Sequence, residues 1–270
     1  MVAGELIELR RVLILTLLVA TIFVVGCSDS MEKVTEKVDV DNIKDKAVEI
    51  VGGRLEETEQ VQVLKEYYSY IEQRMDEDKI LNFLKDNVDN LDEFRVDEML
   101  LQLENHLYAQ GYDTKGVLQK LAPHVQHGSD EFKSYFRIWN NEVENETTDG
   151  ESISIPADEI LERALQIENH IGRYPEGKTR TRLEDLYDTY MSLAIQGLGN
   201  QYIYSQEGKS EISEDILQIY EETIRENPDT RTARILEEYL DEIEKDGMKL
   251  DGENALYFFD NFERIIKNMK

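Results

Sequence analysis

Leu101–Leu107 reads LQLENHL, and Leu165–Ile171 reads LQIENHI, 64 residues further on. Five of the seven residues are identical, and both changes are Leu to Ile, which keeps the apolar positions apolar. With the apolar residue just before each copy, Leu100-Leu103-Leu107 and Ala164-Ile167-Ile171 fall at spacings of three and four, the period that lines one face of an α-helix. The similarity extends outward. At an offset of 136, Ile80–Gly116 runs alongside Ile216–Gly252 without a gap, pairing Ile80 with Ile216, Arg95 with Arg231 and Leu100 with Leu236. Self-similarity of this kind is the signature of stacked supersecondary units.

Each copy is followed by two glycines five residues apart: Gly111 and Gly116, Gly172 and Gly177, Gly247 and Gly252. The first is placed to take the left-handed conformation that closes a helix, and the second falls in or just past the turn into the next. The same three-and-four spacing predicts helices near 34–51, 55–74, 77–90, 93–110, 114–126, 130–144, 157–171, 178–196 or beyond, 213–226, 229–246 and 253–268. Asp92, Ser129 and Ser213 mark starts. No run alternates with period two. Ile153–Ile155 is flanked by polar residues and stopped by Pro156, so it reads as linker.

Ala194–Asp229, AIQGLGNQYIYSQEGKSEISEDILQIYEETIRENPD, resembles a tetratricopeptide repeat. The resemblance lies in Leu198-Gly199-Asn200-x-Tyr202, a turn at Gly208, then Tyr220, Thr223, Ile224 and Asn227-Pro228-Asp229. It departs from the family in a turn about five residues too long and in Ile216, where the family places Ala. It covers about 35 residues well and roughly 200 loosely. The expected fold is therefore all-α, with helical hairpins stacked as a tetratricopeptide-like α-solenoid; an irregular helical bundle is the alternative. In that family the first helix of each pair lines an inner groove, which implies Gln196, Asn200 and Tyr204 as partner-binding residues.

The N-terminus gives an address. Arg10 and Arg11 precede an uncharged run from Val12 to Val25, too short to span a bilayer and of signal-peptide length. It ends in Val24-Val25-Gly26-Cys27, which resembles the lipobox of bacterial lipoproteins, with the single Cys of the chain in the modified place. The resemblance implies diacylglycerol on Cys27 and cleavage after Gly26. An uncleaved signal anchor is the alternative. The domain reading is a signal peptide (1–26), a lipidated Cys with a polar tether (27–41), N-terminal helical repeats (42–145), a linker (146–156) and C-terminal helical repeats (157–270).

Charge narrows the partners. The chain has 58 Asp and Glu against 30 Lys and Arg, a net charge of −28. Glu5, Glu8, Arg10 and Arg11 cancel, so all of that charge belongs to the part after the signal. Such a chain lacks the cationic surface that holds nucleic acid. It also lacks a polybasic grip on anionic lipid. One Cys excludes an intramolecular disulfide and a Cys-rich zinc site.

Motifs for chemistry are missing. There is no G-x-S-x-G, H-E-x-x-H or P-loop. His124 and His127 share a helical spacing, but two nitrogens make no metal site. His106 and His170 are repeat equivalents. Glu242–Glu253 approaches an EF-hand spacing and fails it, with Glu at the first two ligand places and Lys249 where an apolar residue belongs. Tyr67, Tyr68, Tyr70, Tyr202 and Tyr204 are expected as half-buried rings with wet hydroxyls, some of them on a recognition surface. The sequence thus predicts a non-enzymatic, cofactor-free lipoprotein on the exported side of a bacterial membrane, holding a protein or peptide. A lipoprotein for a small ligand or divalent cation is the alternative, and an envelope hydrolase is the third.

Overall fold

The computed structural model describes residues 57–198 and 211–268. The signal, Cys27, the tether and the helix expected near 34–51 lie outside the described residues, as do Asn200 and Tyr204. Among the described residues ten α-helices follow in order: α1 (Glu57–Glu72), α2 (Glu77–Asn87), α3 (Glu93–Ala109), α4 (Thr114–Leu121), α5 (Asp130–Glu144), α6 (Ala157–Arg173), α7 (Arg180–Gln196), α8 (Glu214–Glu226), α9 (Arg231–Lys245) and α10 (Glu253–Asn268). The fold is all-α. Among the described residues the only extended pairings are two isolated bridges, Thr148 with Ile153 and Glu211 with Lys249.

Helix starts are set by side chains that take up the first free N–H groups. Asp92 accepts from Arg95 N at 3.0 Å, Ser129 from Phe132 N at 3.2 Å and Ser213 from Ile216 N at 3.2 Å. Asp76, Asp113 and Thr230 act in the same way for α2, α4 and α9. The stops are partly those expected. Gly111 (φ 91°) and Gly247 (φ 68°) are left-handed, and the next residue's N–H reaches back five places, Tyr112 to Leu107 O and Met248 to Ile243 O. That is a Schellman closure. Gly172 differs: it stays within α6, which runs to Arg173 and stops before Pro175. The helix expected over 114–126 ends at Leu121, because Pro123 has no N–H to continue it, and a short 3₁₀ turn takes Val125–His127.

Most consecutive helices pack against each other, α6 on α7 most extensively; α1 also meets α3, α6 meets α8 and α9, and α7 meets α10. The core is continuous and rich in large side chains, among them Tyr67, Leu100, Leu103, Phe132, Tyr187, Met191, Leu236 and Phe258. The segment 146–156 folds back as a tight turn around Asp149, which accepts from Glu151 N and Ser152 N, and it buries Ile153 and Ile155.

A polar ladder ties the odd-numbered helices together. Gln60 on α1 accepts from Asp92 N at the start of α3 (2.9 Å), Asp97 on α3 from Ser129 N at the start of α5 (2.8 Å), and Glu131 on α5 from Thr179 N before α7 (3.0 Å). Tyrosines repeat the pattern. Tyr67 donates to Met99 O (3.0 Å), Tyr135 to Glu104 (2.5 Å) and Tyr190 to Glu142 (2.6 Å), while Tyr187 meets Thr232 on α9 (3.1 Å). The Tyr67 hydroxyl was expected in water; like the other three it bonds protein instead, because the rings lie between neighbouring odd helices and protein partners are in reach.

Candidate functional site

The repeated heptapeptide places Glu104 on α3 and Glu168 on α6 at the same point of their copies, and the two carboxylates have different surroundings. Glu168 caps α9. It accepts from Arg231 N, Thr232 N (2.9 Å) and Thr232 Oγ1 (2.9 Å). Glu104 is 3% exposed and accepts one hydrogen bond, from Tyr135 Oη at 2.5 Å. Its Oε2 has no hydrogen-bond partner; the nearest cation, Arg182 Nε, stands 3.7 Å away. Burial raises the Glu104 carboxyl above its ordinary range, and the Tyr135 hydrogen bond and the Arg182 charge only partly offset it. The Tyr135 hydroxyl is raised as well, by its burial and then by the Glu104 charge.

Glu104 faces a cavity of about 300 Å³ between α3, α5 and α7. Its walls follow helical spacing: Glu104 and Tyr108 on α3, Tyr135 and Trp139 on α5, Arg182, Asp185, Leu186 and Thr189 on α7. Trp139, the only tryptophan of the chain, has a buried indole N–H with no hydrogen-bond partner. Beside the cavity, Glu104 Oε2 and Trp139 Nε1 are thus both buried without a hydrogen-bond partner, with the Arg182 ion pair next to them. Leaving such groups unpaired costs stability unless a ligand or water completes them.

A second hollow, about 430 Å³, adjoins it along α3 and α7, lined by Glu98, Leu101, Gln102, Asn105, Lys178 and Arg182. Arg182 is shared by both and donates to Asn105 Oδ1 at 2.7 Å. Lys178 and Tyr68 both bond Glu98; burial would raise that carboxyl, and these two contacts outweigh it and lower it. Two cations in a chain of net charge −28 thus stand along one groove with an aromatic end.

Another cavity, about 840 Å³, lies between α6 and α8 and is lined by Asp158, Glu162, Glu168, Glu222 and Glu226, with no Lys or Arg among the described residues. Among the described residues no group of three or more His, Cys, Asp or Glu is arranged to hold a metal ion. His124 is buried at the edge of the 3₁₀ turn, and His127 pairs with Asp89 at 3.1 Å. Asp246, in the EF-hand-like segment, caps α10 through Asn254 N (2.8 Å) and Ala255 N (3.3 Å).

Of the residues expected at a partner-binding face, Gln196 is exposed at the last turn of α7 and accepts from Ser192 Oγ at 3.3 Å; Asn200 and Tyr204 lie outside the described residues. Gln196 lines neither hollow of the α3–α5–α7 groove. Glu104, Tyr108, Trp139 and Arg182 were not singled out from the sequence. The available signals were the Glu within the repeated heptapeptide and the lone Trp. Among the described residues no helix is long and apolar enough to cross a membrane. No protein-family model, curated protein or solved structure matches the chain.

Proposed function

We propose that this chain is a lipid-anchored interaction protein of a bacterial envelope, held by diacylglycerol on Cys27, and that it binds a protein or peptide partner in the groove across α3, α5 and α7. The observation that supports this most directly is the pair of adjoining hollows that share Arg182 and expose Tyr108, 41% accessible, at their rim. Aromatic and Arg side chains at a recessed site are the usual anchors of protein recognition. The odd-helix ladder supports a solenoid-like stacking, in which successive helices present one extended surface. The anchor holds that surface at high local concentration on the membrane. The mechanism is binding without bond-making.

The test is in-cell crosslinking followed by co-purification from the native protein, from Cys27→Ala and from Tyr108→Glu, washed at low and high salt. One dominant protein partner, diminished by either substitution, supports the proposal. An unchanged partner list across all three proteins overturns it. The cavity between α6 and α8 favours a second reading, a lipoprotein for a cationic ligand, because its walls carry five carboxylates and no counter-charge. That reading requires the melting temperature to rise with a soluble cation.

A further inference from the structure

A cavity of about 240 Å³ at the junction of α6, α7 and α9 gathers positive charge in a chain whose net charge is −28. Arg180 opens α7, and Arg231 and Arg234 stand in the first turn of α9; all three line the cavity, with Glu168, Gly172 and Glu184 among the other wall residues. The first turn of a helix also favours an anion through its dipole. The carboxylates of the wall are already engaged. Glu168 accepts from the backbone of α9, at Arg231 N and Thr232 N, and Glu184 accepts from Arg180 Nε at 2.9 Å. Arg180 Nη1 also donates to Pro175 O at 2.8 Å, and Arg231 stands 3.6 Å from Asp188, its guanidinium 4.5 Å from the centre of the Tyr187 ring. These contacts hold two of the guanidinium groups in place. Arg234 differs: it is exposed, and among the described residues its side chain makes no hydrogen bond or ion pair.

The repeat supplies an internal comparison. Tyr108, at the rim of the groove in the first copy, has Gly172 as its equivalent 64 residues on. The backbone does not ask for glycine there. Gly172 lies inside α6 without a positive φ, and a Cβ would meet nothing within 4 Å. Glycine is a poor helix former, so the second copy gives up helix propensity and leaves open, next to three arginines, a position that carries an aromatic ring in the first.

Charge and donor geometry define the occupant. A carboxylate offers two oxygens, which one guanidinium fork fills. Guanidinium groups on two helices, one of them unpaired, suit an anion with acceptors on several sides, and a phosphoryl group presents three terminal oxygens. An anionic membrane surface is not its source, because a chain this acidic is repelled by one. We infer that this cavity is a binding site for the phosphoryl group of a soluble phosphomonoester, held by Arg180 and Arg234 with the Arg231 charge behind them, and that the organic part lies along half-buried Ile171 over Gly172. The site is separate from the groove across α3, α5 and α7, and either stands without the other.

The test is calorimetric titration of the full chain in mild detergent at fixed chloride, with phenyl phosphate, inorganic phosphate and benzoate as probes. Phenyl phosphate is expected to bind saturably and the other two roughly tenfold more weakly, because inorganic phosphate lacks the apolar contact and benzoate the third oxygen. Arg234→Gln is expected to weaken phenyl phosphate roughly tenfold or more. Gly172→Tyr, which gives α6 the residue of the first copy, is expected to abolish binding by filling the open space. Both positions are exposed, so each unliganded variant is expected to melt no lower than wild type; if one does melt lower, the other carries the test. Benzoate or inorganic phosphate bound as tightly as phenyl phosphate, binding that survives both substitutions, or no binding of any probe overturns the site.

Discussion

Glu104→Gln and Glu168→Gln make the same chemical change within almost the same heptapeptide, and the structure requires opposite responses. Glu168 holds two backbone N–H groups and one hydroxyl at the start of α9, and Thr232 there is fully buried. A glutamine in its place keeps one acceptor oxygen and turns an NH₂ toward N–H donors. Hydrogen bonds to a charged group contribute about 1.5–3 kcal/mol each and a helix cap about 1 kcal/mol, not additively. The expected loss is about 3 kcal/mol, or roughly 6–12 °C in Tm for a domain of this size. Glu104 loses little. The glutamine oxygen keeps the Tyr135 bond, and the substitution removes a buried charge whose carboxyl is already raised by desolvation. The folded pKa lies above the unfolded one, so ionisation of Glu104 disfavours the fold above that pKa, and the penalty fades as pH falls through it. The expected change at neutral pH lies between zero and about 1 kcal/mol of stabilisation. Urea unfolding of the full chain in mild detergent, followed by helical dichroism and by Trp139 fluorescence, measures both. Equal destabilisation by the two substitutions would refute the reasoning, because it would mean that Glu104 is as fully bonded as Glu168.

Three further outcomes follow, two from buried polar groups and one from backbone conformation. Arg163, 3% exposed, bonds Glu142 (2.7 Å), Asn145 O (2.8 Å) and Thr147 Oγ1 (3.0 Å), so Arg163→Met is expected to cost about 3–5 kcal/mol and to loosen 145–156 to proteolysis; a midpoint within error of wild type would contradict this. His170 lies between Ser134 (3.0 Å) and Thr179 (2.9 Å), with Glu131 opposing the burial that lowers it below its ordinary 6.5. The unfolded chain therefore takes up this proton first, stability is lost as pH falls below about 6.5, and His170→Gln should show a smaller drop in unfolding midpoint between pH 7.5 and 5.5 than wild type. Gly247→Ala places a Cβ at φ 68° and should lower stability by about 1 kcal/mol, whereas Gly172→Ala, inside α6 with open space around it, should not lower it at all.

Helix existence and most helix starts were legible, because caps such as Asp92, Ser129 and Ser213 act within three residues of the helix that they open. The repeat was legible for the same reason, since it is written in contiguous residues. The site was not. Whether Glu104 or Glu168 is saturated depends on groups such as Tyr135 and Thr232, which lie 31 and 64 residues away, and identical neighbours in sequence give no hint of that difference. The family resemblance placed the groove near Gln196, at the C-terminal end of α7. The two hollows use other turns of that helix, from Arg182 to Thr189, and Asn200 and Tyr204 lie outside the described residues. The helix expected over 114–126 stops at Leu121 because apolar spacing continues past Pro123 while the backbone hydrogen bonding does not.

The central claim is that a partner occupies the α3–α5–α7 groove. Its most direct test is a photo-crosslinking residue placed in living cells at Tyr108 and, separately, at Glu222 in the cavity between α6 and α8. The account predicts one discrete protein adduct from position 108, reduced when Cys27 is replaced by Ala, and none of that identity from position 222. An adduct formed only from position 222, or from neither, would contradict it.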